Sequence, residues 1–174
     1  MMTSASNLLA PLLTLGTVRL GLDVASRKRL YEEAGLMFES SAGVPHTEAF
    51  DALFAREKLG STCLGAACAI PHGRVSGIDK PCAVFLRTAA ALALDAPDGR
   101  AVQLFLCILI PDSDSDDYLK ILRETAAFFS ERANRTALLA AQSEVEVCEC
   151  IHNWQVPDDL HFEQDFAEGD TEET

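Results

Sequence analysis

Val102-Gln103-Leu104-Phe105-Leu106-Cys107-Ile108-Leu109-Ile110 is an almost wholly apolar run, closed by Pro111. A strand with one wet face alternates apolar and polar residues; this run offers water nothing polar after Gln103, so both of its faces must be covered. That requirement predicts a sheet with helices packed on either side. Two more β-prone runs, at 68–71 and 82–87, precede it, and turn-forming segments at 75–80 and 95–100 separate the three. The expected fold is α/β: a single-domain sandwich with a central mixed β-sheet covered by helices on both faces.

Apolar spacing places the helices. Residues 18–22 alternate weakly and read as a short edge strand, ahead of a helix that either Asp23 or Ser26 can cap. Leu30, Ala34, Met37 and Phe38 recur there at helical spacing, Arg27, Lys28, Arg29, Glu32 and Glu33 fill the rest of the wheel, and Gly43-Val44-Pro45 ends it. A second helix is expected from a Thr47 cap, carrying Phe50, Leu53 and Phe54 inward and closing at Gly60, with Arg56 in its last turn. Beyond Pro111, Asp112, Asp114, Asp116 and Asp117 suit the positive end of a helix dipole better than a metal site. Leu119, Leu122, Ala126 and Phe129 are expected to form the buried face of that helix. Asn134 reads as the cap of a short helix to Ala141, Ser143-x-x-Glu146 as a capping box opening the last helix, and Trp154 as the residue that closes the packed body.

The chain has 174 residues, 48% of them hydrophobic, which suits one well-buried core and not two. Of its net charge of −13, eight units belong to a stretch without Lys or Arg: Asp158, Asp159, Glu163, Asp165, Glu168, Asp170, Glu172 and Glu173. The expected division is therefore a folded body at 1–156 and an acidic, solvated tail at 157–174, in which Leu160, Phe162 and Phe166 could dock on a groove. The acidic balance and scattered cations speak against nucleic-acid binding. No apolar run is long enough to span a membrane, and the leucine-rich start at 8–15 is broken by Pro11 and lacks a basic flank. A cytoplasmic protein with reduced thiols is the expectation for Cys63, Cys68, Cys82, Cys107, Cys148 and Cys150. Cys148-x-Cys150-x-His152 has poor spacing for a metal on a helix, and Cys82 and Cys107 read as small buried hydrophobes.

The chemistry centres on Arg56-Glu57-Lys58-Leu59-Gly60-Ser61-Thr62 and, after a short loop, Ala69-Ile70-Pro71-His72-Gly73. With Pro71 stopping the strand, His72 is expected just outside the sheet, where one neutral ring nitrogen keeps a lone pair while the other fixes the tautomer. Gly73 removes a side chain that would crowd an approaching group, as does Gly65 in the loop. By contrast His46, in Val44-Pro45-His46-Thr47, reads as a plain solvated histidine, and Cys63 is the one thiol close to the proposed site.

These blocks, with Thr17-Val18-Arg19-Leu20, Leu94-Asp95-Ala96-Pro97-Asp98-Gly99 and the stretch 104–111, closely resemble enzyme IIA of the bacterial phosphoenolpyruvate:sugar phosphotransferase system, fructose/mannitol and nitrogen-regulatory branch. The similarity runs from about Leu8 to Ile151, and Leu138-Leu139-Ala140-Ala141-Gln142-Ser143 looks more like the nitrogen-regulatory members. The resemblance implies a phosphotransferase in which His72 accepts a phosphoryl group from a histidine phosphocarrier protein of the HPr/NPr kind, and whose phosphorylation state regulates transporter or kinase partners. It implies Arg56 as the cation beside the phosphoryl group and Ser61, Thr62, Gly73 and Tyr118 around it, with no cofactor and no metal, because the donor is itself a phosphohistidine. Arg56 also suits a helix end and Ser61 and Thr62 suit loop shaping. Tyr118 stands where members usually carry a second histidine, and Cys63 and Ala67 stand where loop glycines are common. If those glycines have positive φ, the loop path here must differ. The alternatives are a sugar-specific IIA component that passes phosphate to a IIB protein, and a binding module of the same fold that has lost phosphotransfer.

Overall fold

The computed structural model describes residues 7–113, 117–158 and 160. Asp114, Asp116 and all of the expected tail except Pro157, Asp158 and Leu160 lie outside the described residues. Two single 3-10 turns, Ala10–Leu12 and Leu15–Thr17, lead into strand β1 (Val18–Leu22) and helices α1 (Arg27–Ala42) and α2 (His46–Glu57). Strands β2 (Cys63–Gly65), β3 (Cys68–Ala69), β4 (His72–Val75), β5 (Cys82–Leu92) and β6 (Val102–Pro111) follow, then α3 (Asp117–Ser130), α4 (Arg132–Ala140) and α5 (Glu144–Asn153).

β6 is the axis of the sheet. The order is β1-β5-β6-β3-β2, with β4 also pairing with β6. β5 runs antiparallel to β6, β3 and β4 run parallel to it along its other edge, and β1 runs parallel to β5. Leu104, Leu106, Ile108 and Ile110 of β6 face a cluster with Phe128 and Phe129 of α3, Leu138 of α4, Val147 and Ile151 of α5, and Trp154. Phe105, Cys107 and Leu109 face the opposite cluster, with Leu30, Tyr31 and Phe38 of α1 and Leu53 of α2. At about 1.5–3 kcal/mol per large apolar side chain removed from water, a strand buried on both faces contributes about twice what a half-exposed one would. The sheet is mixed and covered by helices on both faces, as the apolar run requires.

The proline does not end the strand as expected. Ala69 pairs with Phe105 and His72 with Ile108 at the same offset, so the register runs unbroken through Ile70-Pro71. Pro71 lacks an N–H but its carbonyl still accepts from the Ile108 N–H (2.9 Å), which keeps the two strands together. His72 therefore begins β4 instead of lying outside the sheet. β2, only three residues long, was not foreseen.

Caps differ from the sequence expectation in α2 and α4, and the buried face differs in α3. Ser26 does cap α1, accepting from the Arg29 N–H (3.2 Å), and Gly43 ends it at φ 71°. α2 starts at His46 behind Pro45, with Thr47 already inside it, because Glu39 at the end of α1 supplies the capping carboxylate to the His46 N–H (2.8 Å) and ring (2.9 Å). His46 is thus paired, not merely solvated. The buried residues of α3 are Ile121, Thr125, Phe128 and Phe129, while Leu119 stays 40% exposed. Asn134 lies inside α4, where its side chain donates to the Phe128 carbonyl (2.9 Å). For α5, Ser143 accepts from the Glu146 N–H (3.2 Å), and Glu146 accepts from the Gln142 N–H (2.5 Å).

Candidate functional site

α2 and β4 are pressed together so that the end of the helix reaches the start of the strand. A Cβ on Gly73 would stand 2.5 Å from the Ala52 carbonyl oxygen, so glycine there lets the two backbones touch. Its missing side chain makes room for α2, a different reason from the one expected. Arg56, in the last turn of α2, is anchored by Nη1 donating to the Gly60 carbonyl (2.8 Å), and its Nε donates to Nε2 of His72 across 3.2 Å. The other ring nitrogen, Nδ1, donates to the Ile70 carbonyl at 2.8 Å. Together these bonds define the tautomer: the proton sits on Nδ1 and the Nε2 lone pair faces the cleft.

The imidazole is half-buried. Burial, and secondarily the Arg56 charge, lower its pKa below the ordinary value, against the Ile70 carbonyl and the Glu57 charge, which pull the other way. A neutral ring with a directed lone pair is the nucleophilic form of histidine. It opens on a cleft of about 460 Å³ lined by Ala55, Arg56, Leu59, Gly73, Arg74 and Tyr118, among others.

The geometry gathers His72, Arg56, Gly73 and Tyr118 around one space, but not Ser61 and Thr62. Ser61 is exposed and its Oγ accepts from the Cys63 N–H (3.1 Å), a loop-shaping bond. Thr62 is buried and its hydroxyl donates to Glu57. Glu57 had gone unnoticed in the sequence. Its carboxylate, 7% exposed, also accepts from the Tyr31 hydroxyl (2.9 Å) and lies 3.8 Å from Nε of Arg27. It ties α1, α2 and the loop before β2 together directly behind Arg56.

Arg74 is the second cation at the cleft that the sequence reading missed. It is two residues from His72 on the same strand, so both side chains leave the same face; the period of β structure was the signal that could have found it. Its guanidinium lies 4.3 Å over the Tyr118 ring, and Nη1 donates to the Pro111 carbonyl (3.3 Å).

The thiols take no part. Cys63 is buried on β2, with Sγ against the Leu94 carbonyl (3.3 Å), and burial pushes Cys68 up to about 12 and Cys82 up to about 11. Among the described residues no three His, Cys, Asp or Glu side chains come together as a metal site, and no helix is long and apolar enough to cross a membrane.

Fold and site together define a phosphotransferase-system IIA domain: residues 11–154 match the family described as "Phosphoenolpyruvate-dependent sugar phosphotransferase system, EIIA 2", and the chain belongs to it. Within the family its kinship is with the nitrogen-regulatory type. It is 35% identical over 134 residues to a nitrogen regulatory protein of Pseudomonas aeruginosa, covering 76% of this chain and 87% of that one. The crystal structure of nitrogen regulatory protein IIA-Ntr from Neisseria meningitidis superposes with a TM-score of 0.79 at 40% identity, covering 83% of this chain and 99% of the other. IIA mannitol from Escherichia coli shares the fold, with a TM-score of 0.67 at 21% identity over 80% of this chain and 98% of the other.

Proposed function

We propose that this protein is a cytoplasmic phosphoacceptor of a nitrogen-type phosphotransferase relay, which takes a phosphoryl group on Nε2 of His72 from a phosphohistidine on a small carrier protein and governs partner proteins through its phosphorylation state. The observation that carries this is the pair of bonds on the His72 ring: Nδ1–H held by the Ile70 carbonyl, Nε2 met by the Arg56 Nε–H. The donor N–P bond breaks as the Nε2–P bond forms. The leaving nitrogen keeps the electron pair, and Nδ1 keeps its proton, donated to the Ile70 carbonyl. Once the Nε2 lone pair is committed to phosphorus, the Arg56 N–H loses its acceptor at the spot where phosphoryl oxygens arrive, so the cation is in place before charge develops. The phosphoryl oxygens carry about two negative charges, of which the ring offsets one for as long as Nδ1 keeps its proton, and this is enough to change which surface a partner accepts.

Incubation with labelled phosphoenolpyruvate, enzyme I and the histidine carrier tests this. Acid-labile label on wild type that is lost in His72→Ala is the expected result. No label under conditions that phosphorylate a control IIA would replace the proposal with a binding module of this fold. Efficient onward transfer from His72 to a IIB domain would replace regulation with sugar transport.

A further inference from the structure

We propose that Glu57, acting through Thr62, is the positioning residue of the phosphoacceptor: both bonds that orient the His72 ring are held in place from its carboxylate. The inference rests on the phosphoacceptor role of His72 and goes beyond it. It gives a task in transfer to a carboxylate and a hydroxyl that do not line the cleft.

The bond at Nε2 is held by the neighbour in sequence. Arg56 and Glu57 are consecutive in the last turn of α2, so their side chains leave the helix about 100° apart. Arg56 goes to Nε2 of His72 and to the Gly60 carbonyl, while Glu57 turns inward to the Tyr31 hydroxyl of α1 (2.9 Å) and the Thr62 hydroxyl. The chain reversal from α2 into β2 is therefore clamped twice, by Arg56 at Gly60 and by Glu57 at Thr62. The bond at Nδ1 is held through the hairpin. β2 and β3 pair antiparallel with Cys63 opposite Ala69, which sets Thr62 beside Ile70, and the Thr62 carbonyl accepts from the Ile70 N–H (3.0 Å). Ile70 offers its own carbonyl to Nδ1–H of His72 (2.8 Å). The residue that fixes the tautomer is thus held by the residue whose side chain Glu57 holds. Oε1 of Glu57 takes both hydroxyl hydrogens while Oε2 lies 3.8 Å from Nε of Arg27, a load that a carboxylate has the lone pairs to carry. A nucleophile works only when its lone pair points at the donor phosphorus, and a ring free to turn, or to move its proton to Nε2, loses that aim.

The test compares Thr62→Val, Thr62→Ser, Glu57→Ala and Tyr31→Phe with wild type in single-turnover transfer from the phosphorylated carrier, beside thermal melts and the 15N shifts of the neutral His72 ring, which report its tautomer. Thr62→Val is expected to lower the maximal rate by about tenfold or more, the scale for a slight misplacement of reacting groups, with the carrier concentration for half-maximal rate little changed. Thr62→Ser should recover most of the loss. Glu57→Ala should fall at least as far, and adding Thr62→Val to it should cost little more. Tyr31→Phe removes a bond to the same oxygen but leaves the step from Thr62 to Ile70 intact, so it should melt earlier yet transfer at nearly the wild-type rate. In the ring, Thr62→Val and Glu57→Ala should populate the tautomer protonated on Nε2, and Tyr31→Phe should not. Should Glu57→Ala fail to fold, the two Thr62 variants decide. A wild-type rate and tautomer in Thr62→Val, with label on His72, would overturn this inference and leave the phosphoacceptor role standing. A loss of rate that follows melting temperature across all variants, Tyr31→Phe included, with the tautomer unmoved, would make Glu57 a stability residue only and likewise overturn it. A wild-type chain that takes no label overturns both.

Discussion

Nε of Arg56 donates to Nε2 of His72 at 3.2 Å, and the same guanidinium holds the Gly60 carbonyl with Nη1 at 2.8 Å. One side chain thus spans the loop before β2 and touches the nucleophilic atom, which couples the placement of the cation to the shape of the loop.

Arg56→Ala is expected to slow phosphorylation of His72 by about a hundredfold, the scale for removing one preorganised charged donor. Arg56→Lys should recover little of it, because a single ammonium cannot hold Gly60 and the phosphoryl group at once. Arg56 is half-buried at a helix end, so unfolding free energy should change by no more than about 1 kcal/mol. Transfer kinetics beside thermal melts separate the two effects. A wild-type rate in Arg56→Ala would remove the residue from the site.

The lowered pKa of His72 has a sign that can be checked twice. Because the folded ring protonates only below its ordinary 6.5, it keeps its lone pair where a free histidine is half protonated, and the transfer rate should stay level as pH falls through that value. Between the folded pKa and 6.5 the unfolded chain binds more protons than the folded one. The contribution to stability is therefore fully present above 6.5 and is lost as pH falls through the folded value. NMR titration of the His72 ring in wild type should give a midpoint below 6.5, and Arg56→Ala should raise it by removing a repelling charge. A wild-type midpoint at or above 6.5 would show that burial does not govern this ring.

How far the sequence could be read depends on what each residue answers to. Residues 102–110 answer to burial on both faces, a demand written in hydrophobicity, and so the layers were legible from them alone. His72 and Arg56 were legible as a pair because their order and spacing resemble a family. Glu57 and Arg74 were not, since a carboxylate beside an arginine and an arginine after a glycine look like surface charges until α1, β4 and α3 are brought together in space. Pro71 misled for a local reason: its missing N–H suggests a strand end, but its carbonyl accepts from Ile108 and the register carries on. The start of α2 misled because its cap, Glu39, comes from another helix.

Gly73→Ala should disable the protein through packing, with no direct touch on the phosphoryl group. The new Cβ would meet the Ala52 carbonyl at 2.5 Å from its oxygen and 2.6 Å from its carbon, and backbone cannot swing aside as a side chain can. α2 must therefore back away from β4, costing about 1–3 kcal/mol by the scale of overpacked cores, and it takes Arg56 with it. Loss of melting temperature together with a slowed transfer is the expected result. A variant as stable and as fast as wild type would mean that the helix and strand are not in backbone contact.

Ala67 supplies the opposite kind of case, a substitution to glycine that should stabilise. Ala66 and Ala67 are consecutive at φ 53° and 67°, a left-handed conformation that costs an L-residue about 1–2 kcal/mol. So the sequence departs from the common loop glycine at Ala67 without the backbone leaving the positive-φ region there. The turn is held from outside: the Ala67 carbonyl accepts from the N–H groups of Gln103 (2.9 Å) and Leu104 (3.0 Å), and the Ala66 N–H donates to Asp98 (2.8 Å). Ala67→Gly would relieve the strain while giving back about 0.4–1 kcal/mol through the freer unfolded chain, a net gain of about 0.5–1 kcal/mol or about 1–4 °C in Tm. Ala69→Gly, in extended β3, has no strain to relieve and should lower Tm. Melts of the two variants beside wild type check the pair, and a loss of stability in Ala67→Gly would show that the loop does not hold residue 67 in the left-handed region.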